Sequence, residues 1–409
     1  MSRILLLVPT TSYRAAAFVS AAQTLDVEIT LASEKTSSLE KFLPLDLMTL
    51  DFSDPHACAA KTMAFAREHP VHAVIGVDDQ TTVAASAAGA ALELPHNPLD
   101  AAYATRNKHT MRKRLDEAGV PVPGFRTLFV DLDPREAASD VEFPCVIKPL
   151  MMAASRGVIR ADNTEEFVAA FDRVRSIVQL EDAPLDDESR TQVLVEDYVP
   201  GWEIAIEGML TGGRLHVFAV FDKPDPLEGP YFPETIYTTP SLLPAEVWQR
   251  ACRLTQEAIR VLGLRHGPVH AEIRGTSDEM WFIEVAARSI GGYCSKVLRF
   301  DGGLSLEDII LRHALDPKVA LPERDEGAAG VMMLQSPRKG VFVEARGVEA
   351  ARDVKHVDEI IVSAYPGQEL SPLPEGFLYV GFIFARAGTP AAVEHALRQA
   401  YGELEFVIE

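Results

Sequence analysis

The stretch HAEIRGTSDEMWFIEVAAR, residues 270–288, predicts two short strands joined by a polar loop. Both strands are rich in apolar residues, yet each carries one glutamate, Glu272 and Glu284. Because side chains alternate faces along a strand and the loop is centred near Ser277, we expect Glu272 to lie opposite Phe282. Glu284 then points to the same face as a diagonal neighbour of Glu272, about 7–8 Å away at the backbone.

Two carboxylates at this spacing need a positive partner. At about 6 Å and an effective dielectric of about 20, two like unit charges repel by about 3 kcal/mol. Burial without a partner would add further cost for each carboxylate. Arg274 and Arg288 are candidates within the stretch, and divalent metal is another, since two metal ions about 3.5–4 Å apart suit this spacing. A solvated sheet face with ordinary salt bridges is the alternative explanation.

The composition is that of a globular protein with 409 residues, a net charge of −21 and four dispersed cysteines, Cys58, Cys145, Cys252 and Cys294. The length predicts two or three domains. The negative charge argues against nucleic acid or an anionic membrane as the main partner. The cysteines have no metal-binding spacing and fit a reduced, cytoplasmic protein. The N-terminal apolar run is too short for a signal peptide or a membrane span.

Strands and helices alternate over residues 1–97, which predicts a doubly wound parallel sheet of Rossmann-like type. Residues 98–315 mix helices with antiparallel strands that turn at Gly212-Gly213. We therefore predict an α/β fold that is α+β in its central part. Within it, a lid subdomain spans about 120–193, and residues 316–409 form a C-terminal mixed α+β domain.

Four short motifs in the central region carry groups that suit nucleotide recognition. Lys108 and Lys148 could each be a solvated side chain or a phosphate ligand. The small-residue loop AASRGV, residues 153–158, lets backbone N–H groups approach phosphate oxygens, although ordinary turns look similar. VEDYVPGWE places Glu196 and Glu203 around a Pro-Gly turn, where a surface loop and a nucleotide clamp explain them equally well.

The order of these parts is more specific than any one of them. Along the chain, a first lysine is followed by a lysine on a strand, a small-residue loop, two glutamates around a turn and the glutamate hairpin. In this order of motifs the chain resembles the ATP-grasp superfamily over most of its length. FPETIYTTPSLLP, residues 232–244, followed by the hairpin is most similar to the L-amino acid ligase branch. The resemblance implies ATP as co-substrate, Mg²⁺ or Mn²⁺, small-molecule carboxylate and amine substrates, a homodimer, and amide formation through an acyl phosphate.

The resemblance also implies a role for each motif residue. The nucleotide ligands it implies are Lys108 and Lys148 at the phosphates, Ser155 and Gly157 in the closing loop, Glu196 and Val199 at the adenine hinge, and Glu203 at the ribose. The remaining roles are metal binding for Glu272 and Glu284, phosphoryl-group contact for Arg288 beside Lys148, and metal or substrate contact for Glu234 and His270. Asn107 departs from the family, which often has aspartate there.

Two other functions are compatible with the same motifs, one catalytic and one without catalysis. The same fold could serve a carboxylase or purine-pathway enzyme that acts on bicarbonate or a nucleotide precursor. The chain could also be a nucleotide-binding module without activity, although the full set of lysines, glutamates and Arg288 argues against this. Tyr237 and Lys296 are further candidates to face a substrate carboxylate.

Overall fold

The computed structural model describes residues 1–35, 46–180, 186–376 and 378–409. The N-terminal part is built on a parallel sheet with strand order β3-β2-β1-β4, as the alternating pattern predicted. The central strand β1 is buried on both faces, which explains its unbroken apolar run. The strands are β1 (Arg3–Leu7), β2 (Glu28–Ser33), β3 (Asp46–Thr49) and β4 (Ala73–Gly76). The helices up to residue 117 are α1 (Ala15–Thr24), α2 (Pro55–Ala66), α3 (Thr82–Ala91), α4 (Leu99–Arg106) and α5 (Lys108–Glu117).

The lid subdomain contains a four-stranded antiparallel sheet with strand order β5-β8-β6-β7. Its strands are β5 (Phe125–Phe129), β6 (Cys145–Pro149), β7 (Ile159–Ala161) and β8 (Gln192–Asp197). Its helices are α6 (Pro134–Ala137), α7 (Thr164–Gln179) and α8 (Asp187–Thr191). Helix α7 begins after Asn163, whose side chain accepts a hydrogen bond from the backbone N–H of Glu166. Phe167 and Phe171 of α7 are fully buried in the lid core.

The rest of the chain forms an eight-stranded antiparallel sheet, order β13-β12-β9-β10-β11-β14-β18-β16, and a small sheet, order β17-β15-β19. The strands are β9 (Trp202–Thr211), β10 (Arg214–Asp222), β11 (Ile236–Thr239), β12 (Gly267–Gly275), β13 (Met280–Ala286), β14 (Ala328–Gln335), β15 (Gly340–Arg346), β16 (Val357–Val362), β17 (Glu369–Leu370), β18 (Tyr379–Ala387) and β19 (Glu405–Ile408). The helices are α9 (Ala245–Leu262), α10 (Leu306–Leu315), α11 (Val348–Arg352) and α12 (Pro390–Gly402). Short 3₁₀ turns lie at Asp79–Thr81, Ala138–Asp140, Cys294–Val297 and Asp301–Gly303.

The large sheet crosses the predicted boundary after residue 315. Strand β11 pairs with β14 in antiparallel register, so strands from both sides of that boundary share one sheet. The division into three domains stays a prediction. None of the helices in the described part of the chain combines the length and the hydropathy that a bilayer-spanning segment needs.

The glutamate hairpin forms as predicted, but the predicted register is wrong. Glu272 pairs directly with Glu284 and not with Phe282, which pairs with Ile273. The cause is a β-bulge after Glu272, where Ile283 is the extra residue on β13. The bulge keeps both carboxylates on one face and turns a diagonal pair into directly opposed neighbours.

Four hydrogen bonds join the lid to a loop of the C-terminal region. The backbone N–H of Gly157 donates to the carbonyl of Pro374 at 2.9 Å. Arg156 Nε donates to the carbonyl of Glu375 at 3.1 Å. Arg173 on α7 donates from Nε and Nη2 to the Glu375 carboxylate at 2.5 and 2.9 Å. These contacts hold the small-residue loop beside the C-terminal region.

We predict that Arg173→Met loosens this contact without unfolding the protein. Both side chains are partly exposed, 41% for Arg173 and 45% for Glu375, so the pair contributes at most about 1 kcal/mol. Amide hydrogen exchange over residues 151–158 should therefore accelerate by up to about fivefold. Arg175→Met is the matched control because Arg175 pairs with Asp172 within the same helix. Equal exchange in the two variants would contradict the prediction.

Candidate active site

A cavity of about 460 Å³ lies where the parallel-sheet part, the lid and the eight-stranded sheet meet. It has the size of a small-molecule site. Eleven of the twelve site residues predicted from sequence line it: Lys108, Lys148, Ser155, Glu196, Val199, Glu203, Glu234, His270, Glu272, Glu284 and Arg288. Gly157 is not among the described lining residues. Its backbone N–H is bound to Pro374, and a side chain there would meet Pro149 at 2.8 Å.

An acidic cluster in the cavity lining, formed by Glu203, Glu234 and Glu272, surrounds one ammonium group beside the cavity. One oxygen from each carboxylate lies within 4.8 Å of the others. Lys223 Nζ is 2.5 Å from Glu203, 3.0 Å from Glu234 and 3.3 Å from Glu272. The arrangement arises because β12, β9 and β10 are neighbours in the sheet and carry Glu272, Glu203 and, just past its end, Lys223.

The charges of the acidic cluster do not balance. Burial opposes the charge of Lys223, but the three carboxylates outweigh it and raise the pKa of Lys223 well above its usual range. Burial, helped by the charges of Glu272 and Glu203, raises the pKa of Glu234 to about 7. Burial opposes the ionisation of Glu272 as well, but Lys223 and His270 hold the pKa of that carboxyl below its usual value. Lys223 and Arg274, whose Nε lies 3.5 Å from Glu203, offset two of the three carboxylates, so the cluster keeps at most one negative charge for a further cation.

Glu284 extends the acidic surface from the neighbouring strand. It stands opposite Glu272 in the hairpin, and its carboxylate is 3.4 Å from Lys108 Nζ. Lys108 Nζ also donates to the carbonyl of Met152 at 2.7 Å. Hard divalent cations prefer carboxylate oxygens, so the cluster together with Glu284 fits such an ion chemically. Glu203, predicted at the ribose, therefore also stands among the candidate metal ligands.

Lys148 is held by a second, fully buried ion pair. The Glu196 carboxylate lies 2.5 Å from Lys148 Nζ and 2.6 Å from Arg112 Nε, and Glu196 is only 3% exposed. Although burial opposes its charge, Arg112 and Lys148 lower the pKa of Glu196. The side chains meet because Glu196 pairs with Val146, which shares a face with Lys148. The Glu196 side chain therefore positions a lysine, and the adenine-hinge role of Glu196 and Val199 stays a prediction.

Arg288 is oriented by the parallel-sheet part of the chain. Its Nε and Nη2 donate to Asp79 Oδ2 at 3.0 and 2.8 Å. Burial opposes the charge of Asp79, but Arg288 keeps the pKa of that carboxyl below its usual value. Asp79 follows β4, so it sits at the carboxyl edge of a parallel sheet, where ligand sites of α/β proteins form. Arg288 thus faces the cavity in a fixed orientation.

His270 is held between two glutamates. Its Nδ1 lies 3.3 Å from Glu207 and its Nε2 lies 3.4 Å from Glu272. Burial lowers the pKa of His270, but the hydrogen bonds to the two carboxylates outweigh burial and raise it. Glu207 is fully buried and accepts a hydrogen bond from the backbone N–H of Ile290 at 3.1 Å. The His270 ring therefore connects Glu272 of the acidic cluster to the buried carboxylate of Glu207.

Tyr237 and Lys296, the two further substrate candidates, differ in their position relative to the cavity. Tyr237 lines the cavity, and its hydroxyl donates to the Glu234 carboxylate. Lys296 is not among the described lining residues, because its ammonium is turned to Glu359 at 2.7 Å. The expectation that Lys296 faces a ligand is therefore wrong.

Family models match three consecutive parts of the chain. An ATP-grasp N-terminal domain matches residues 19–96, an ATP-grasp domain matches residues 141–297, and the L-amino acid ligase C-terminal domain 2 matches residues 332–409. The chain belongs to the ATP-grasp superfamily. Its two ATP-grasp matches fall on the parallel-sheet part and on the segment that carries Lys148, the acidic cluster and the hairpin.

The chain is also similar to individual proteins. The crystal structure of L-amino acid ligase from Bacillus licheniformis superposes with a TM-score of 0.85 at 23% identity, covering 100% of this chain and 99% of that one. An uncharacterised protein of Sinorhizobium fredii is 27% identical over 74% of this chain and 61% of its own length. Alanine–anticapsin ligase of Bacillus subtilis is 28% identical over 52% of this chain and 47% of its own length. The matches therefore span less than two thirds of these two relatives.

Several functional residues of this ATP-grasp site escaped the sequence analysis: Asp79, Arg112, Glu207 and Lys223. A signal existed for two of them. Asp79 follows a parallel strand, and Lys223 comes directly after a strand that is mostly apolar. For Arg112 and Glu207 the sequence offers no comparable signal, since each partner is more than sixty residues away. Asn107, where the family often has aspartate, caps α5 by accepting a hydrogen bond from the backbone N–H of Thr110.

We predict that Glu196→Gln destabilises the protein by about 3–5 kcal/mol at pH 7, because it leaves buried Lys148 and Arg112 without a counter-charge. The lowered pKa of Glu196 means that its carboxylate stabilises the fold above its unfolded-state pKa of 4.5. That contribution disappears as the pH falls through the lower folded-state pKa. The stability gap between wild type and variant should therefore be full at pH 7 and narrow at acidic pH.

Urea denaturation across this pH range is the measurement. Glu394→Gln is the matched control, because the pair between Glu394 and Arg398 lies on a partly exposed helix face. Its change in unfolding free energy should stay below about 1 kcal/mol at every pH. A pH-independent gap for Glu196→Gln would show that the carboxylate acts through packing alone.

Proposed function

We propose that this ATP-grasp protein is an ATP- and Mg²⁺-dependent carboxylate–amine ligase with an amino acid substrate. The observation that carries the proposal is one cavity that brings together Lys108, Lys148, the acidic cluster and Arg288. The match to an L-amino acid ligase C-terminal domain and the names of the Bacillus relatives support ligation between small molecules. Non-catalytic nucleotide binding would not need a phosphoryl-facing arginine beside an acidic cluster.

The proposed reaction has two steps. A substrate carboxylate oxygen attacks the γ-phosphorus of ATP, the bond to the β-phosphate oxygen breaks, and ADP leaves with an acyl phosphate formed. The amine nitrogen of the second substrate then attacks the acyl carbon, phosphate leaves, and the nitrogen loses a proton. The product is an amide whose mass is the sum of the two substrates less one water.

The chain supplies charge and orientation for both steps. Lys148 is fixed by Glu196, and Arg288 is fixed by Asp79, so neither cation must reorganise as negative charge develops. Ala154 and Ser155 have positive φ angles of 55° and 56°, in the loop that would lie over the phosphates. A loop placed there excludes water, which protects an acyl phosphate from hydrolysis.

The metal would be held by Glu272 and Glu284 with help from Glu234 and Glu203. When bound, Mg²⁺ or Mn²⁺ neutralises phosphate charge during phosphoryl transfer. The apolar cluster of Val146, Leu227 and Phe232 beside Val199 suits adenine. The homodimer implied by the family resemblance and the cytoplasmic location inferred from the cysteines stay predictions.

We predict that Glu284→Gln lowers ATP-dependent phosphate release by about 100-fold or more while the fold persists, because the variant removes a metal-facing charge. Glu284 is partly exposed, so the unfolding midpoint in urea should change little. Glu279→Gln, in the exposed loop of the same hairpin, is the control and should keep wild-type release. Wild-type activity in Glu284→Gln would remove Glu284 from the metal site.

The function itself is tested by phosphate release from ATP and Mg²⁺ across amino acids and small carboxylates, singly and in pairs. We expect release only with a particular carboxylate–amine pair, and mass spectrometry should find a product lighter by one water. Release that needs bicarbonate and no amine would instead identify the carboxylase type. ATP binding without release under any condition would identify a nucleotide-binding module.

A further inference from the structure

Part of the cavity lining away from the lysines is aromatic and sulfur-bearing. We call it the aromatic lobe, formed by Tyr13, Tyr293, Cys294, Met333, Tyr379 and Phe382. These residues come from four separate parts of the chain: the loop after β1, the segment that follows the hairpin, strand β14 and strand β18. None of them is a candidate ligand of the nucleotide or the metal.

The lobe is packed as one continuous apolar surface. The ring centroids of Tyr13 and Tyr293 are 4.3 Å apart, and those of Tyr293 and Phe382 are 5.0 Å apart. Tyr379 continues the series at 5.4 Å from Phe382. Centroid distances in this range are those of interacting aromatic pairs, which form rigid surfaces.

Two sulfur atoms and two hydrogen-bonded hydroxyl groups also belong to this surface. Cys294 Sγ lies 3.8 Å from Met333 Sδ, and thioether sulfur makes favourable contacts with aromatic rings. The Tyr13 hydroxyl accepts a hydrogen bond from the backbone N–H of Gly292 at 2.5 Å. Ser363, at the same part of the lining, donates to the carbonyl of Tyr379 at 2.6 Å. These two hydroxyls at the lobe are thus bonded to the backbone.

None of the six residues of the aromatic lobe is cationic, and each lysine and arginine of the described lining faces a carboxylate of the protein. Each of these cations already has a carboxylate partner within 4 Å: Lys108 with Glu284, Lys148 with Glu196, Arg274 with Glu203, and Arg288 with Asp79. A second carboxylate on the ligand would therefore lose hydration in the lobe without gaining a counter-charge.

We propose that the aromatic lobe is the side-chain subsite for an amino acid with a large apolar side chain, aromatic or thioether. This inference rests on the proposed ligase function, and it narrows the substrate class of the same cavity. Rings and thioethers gain contact with the lobe, whereas alanine leaves it unfilled and glutamate brings an unpaired charge. Each methylene that fills a hydrophobic pocket changes selectivity by about 10-fold or more.

The test is equilibrium binding of L-phenylalanine, L-methionine, L-alanine and L-glutamate to the full chain. Calorimetry would be run with Mg²⁺ and a non-hydrolysable ATP analogue, and phosphate release with ATP would be measured in parallel. We expect phenylalanine or methionine to bind at least about tenfold more tightly than alanine and glutamate. Tyr13→Ala should shrink this preference by about five- to tenfold while the affinity for the ATP analogue stays unchanged.

Tyr401→Ala is the matched control, since Tyr401 is 47% exposed on the far end of α12 and Tyr13 is 40% exposed. It should keep the full preference. Alanine or glutamate binding as tightly as phenylalanine, or no amino acid binding at all, would overturn the lobe as an apolar subsite. Selective binding of phenylalanine or methionine with no phosphate release from any pair would support the lobe and reject the ligase proposal instead.

Discussion

The excess of carboxylate over ammonium around Lys223 is the constraint on which the rest of the site depends. Three glutamates converge on one amino group within 2.5–3.3 Å, and each is drawn from a different segment of the large sheet region. Such a group is stable only if positive charge is available close by. Lys223 and Arg274 supply most of it, and a divalent cation bound with phosphate would supply the rest. The acidic cluster thus couples the stability of the cavity to the ligand that we propose for it.

The same principle governs the cations that we propose as phosphate ligands. Lys148 and Arg112 share the buried carboxylate of Glu196, and Arg288 pairs with Asp79 of the parallel-sheet part. A buried cation without a partner would lose its proton or move towards solvent. Because each one has a partner, the charges keep a fixed geometry in the absence of nucleotide. Preorganised charge of this kind is the form in which proteins stabilise developing charge at low reorganisation cost.

The cavity needs all parts of the chain at once. The parallel-sheet part contributes Asp79 and Tyr13, the lid contributes Lys148, and the strand that carries Met333 lies beyond the predicted domain boundary. The sheet that crosses this boundary places β11 next to β14, so the metal-facing end and the aromatic lobe are fixed relative to each other. A phosphoryl end and an apolar end on one rigid sheet are what a ligase that activates an apolar amino acid would require.

The sequence by itself determined the features that depend on local periodicity. It predicted the parallel sheet, the hairpin, and the shared face of Glu272 and Glu284, because alternation is read from neighbouring residues. Only the tertiary structure decided the register at Glu272, since a single bulged residue shifts a pair without changing the pattern. It also decided the partners Lys223 and Arg112, because contacts between distant segments depend on how strands and helices pack, and packing leaves no periodic trace in the chain.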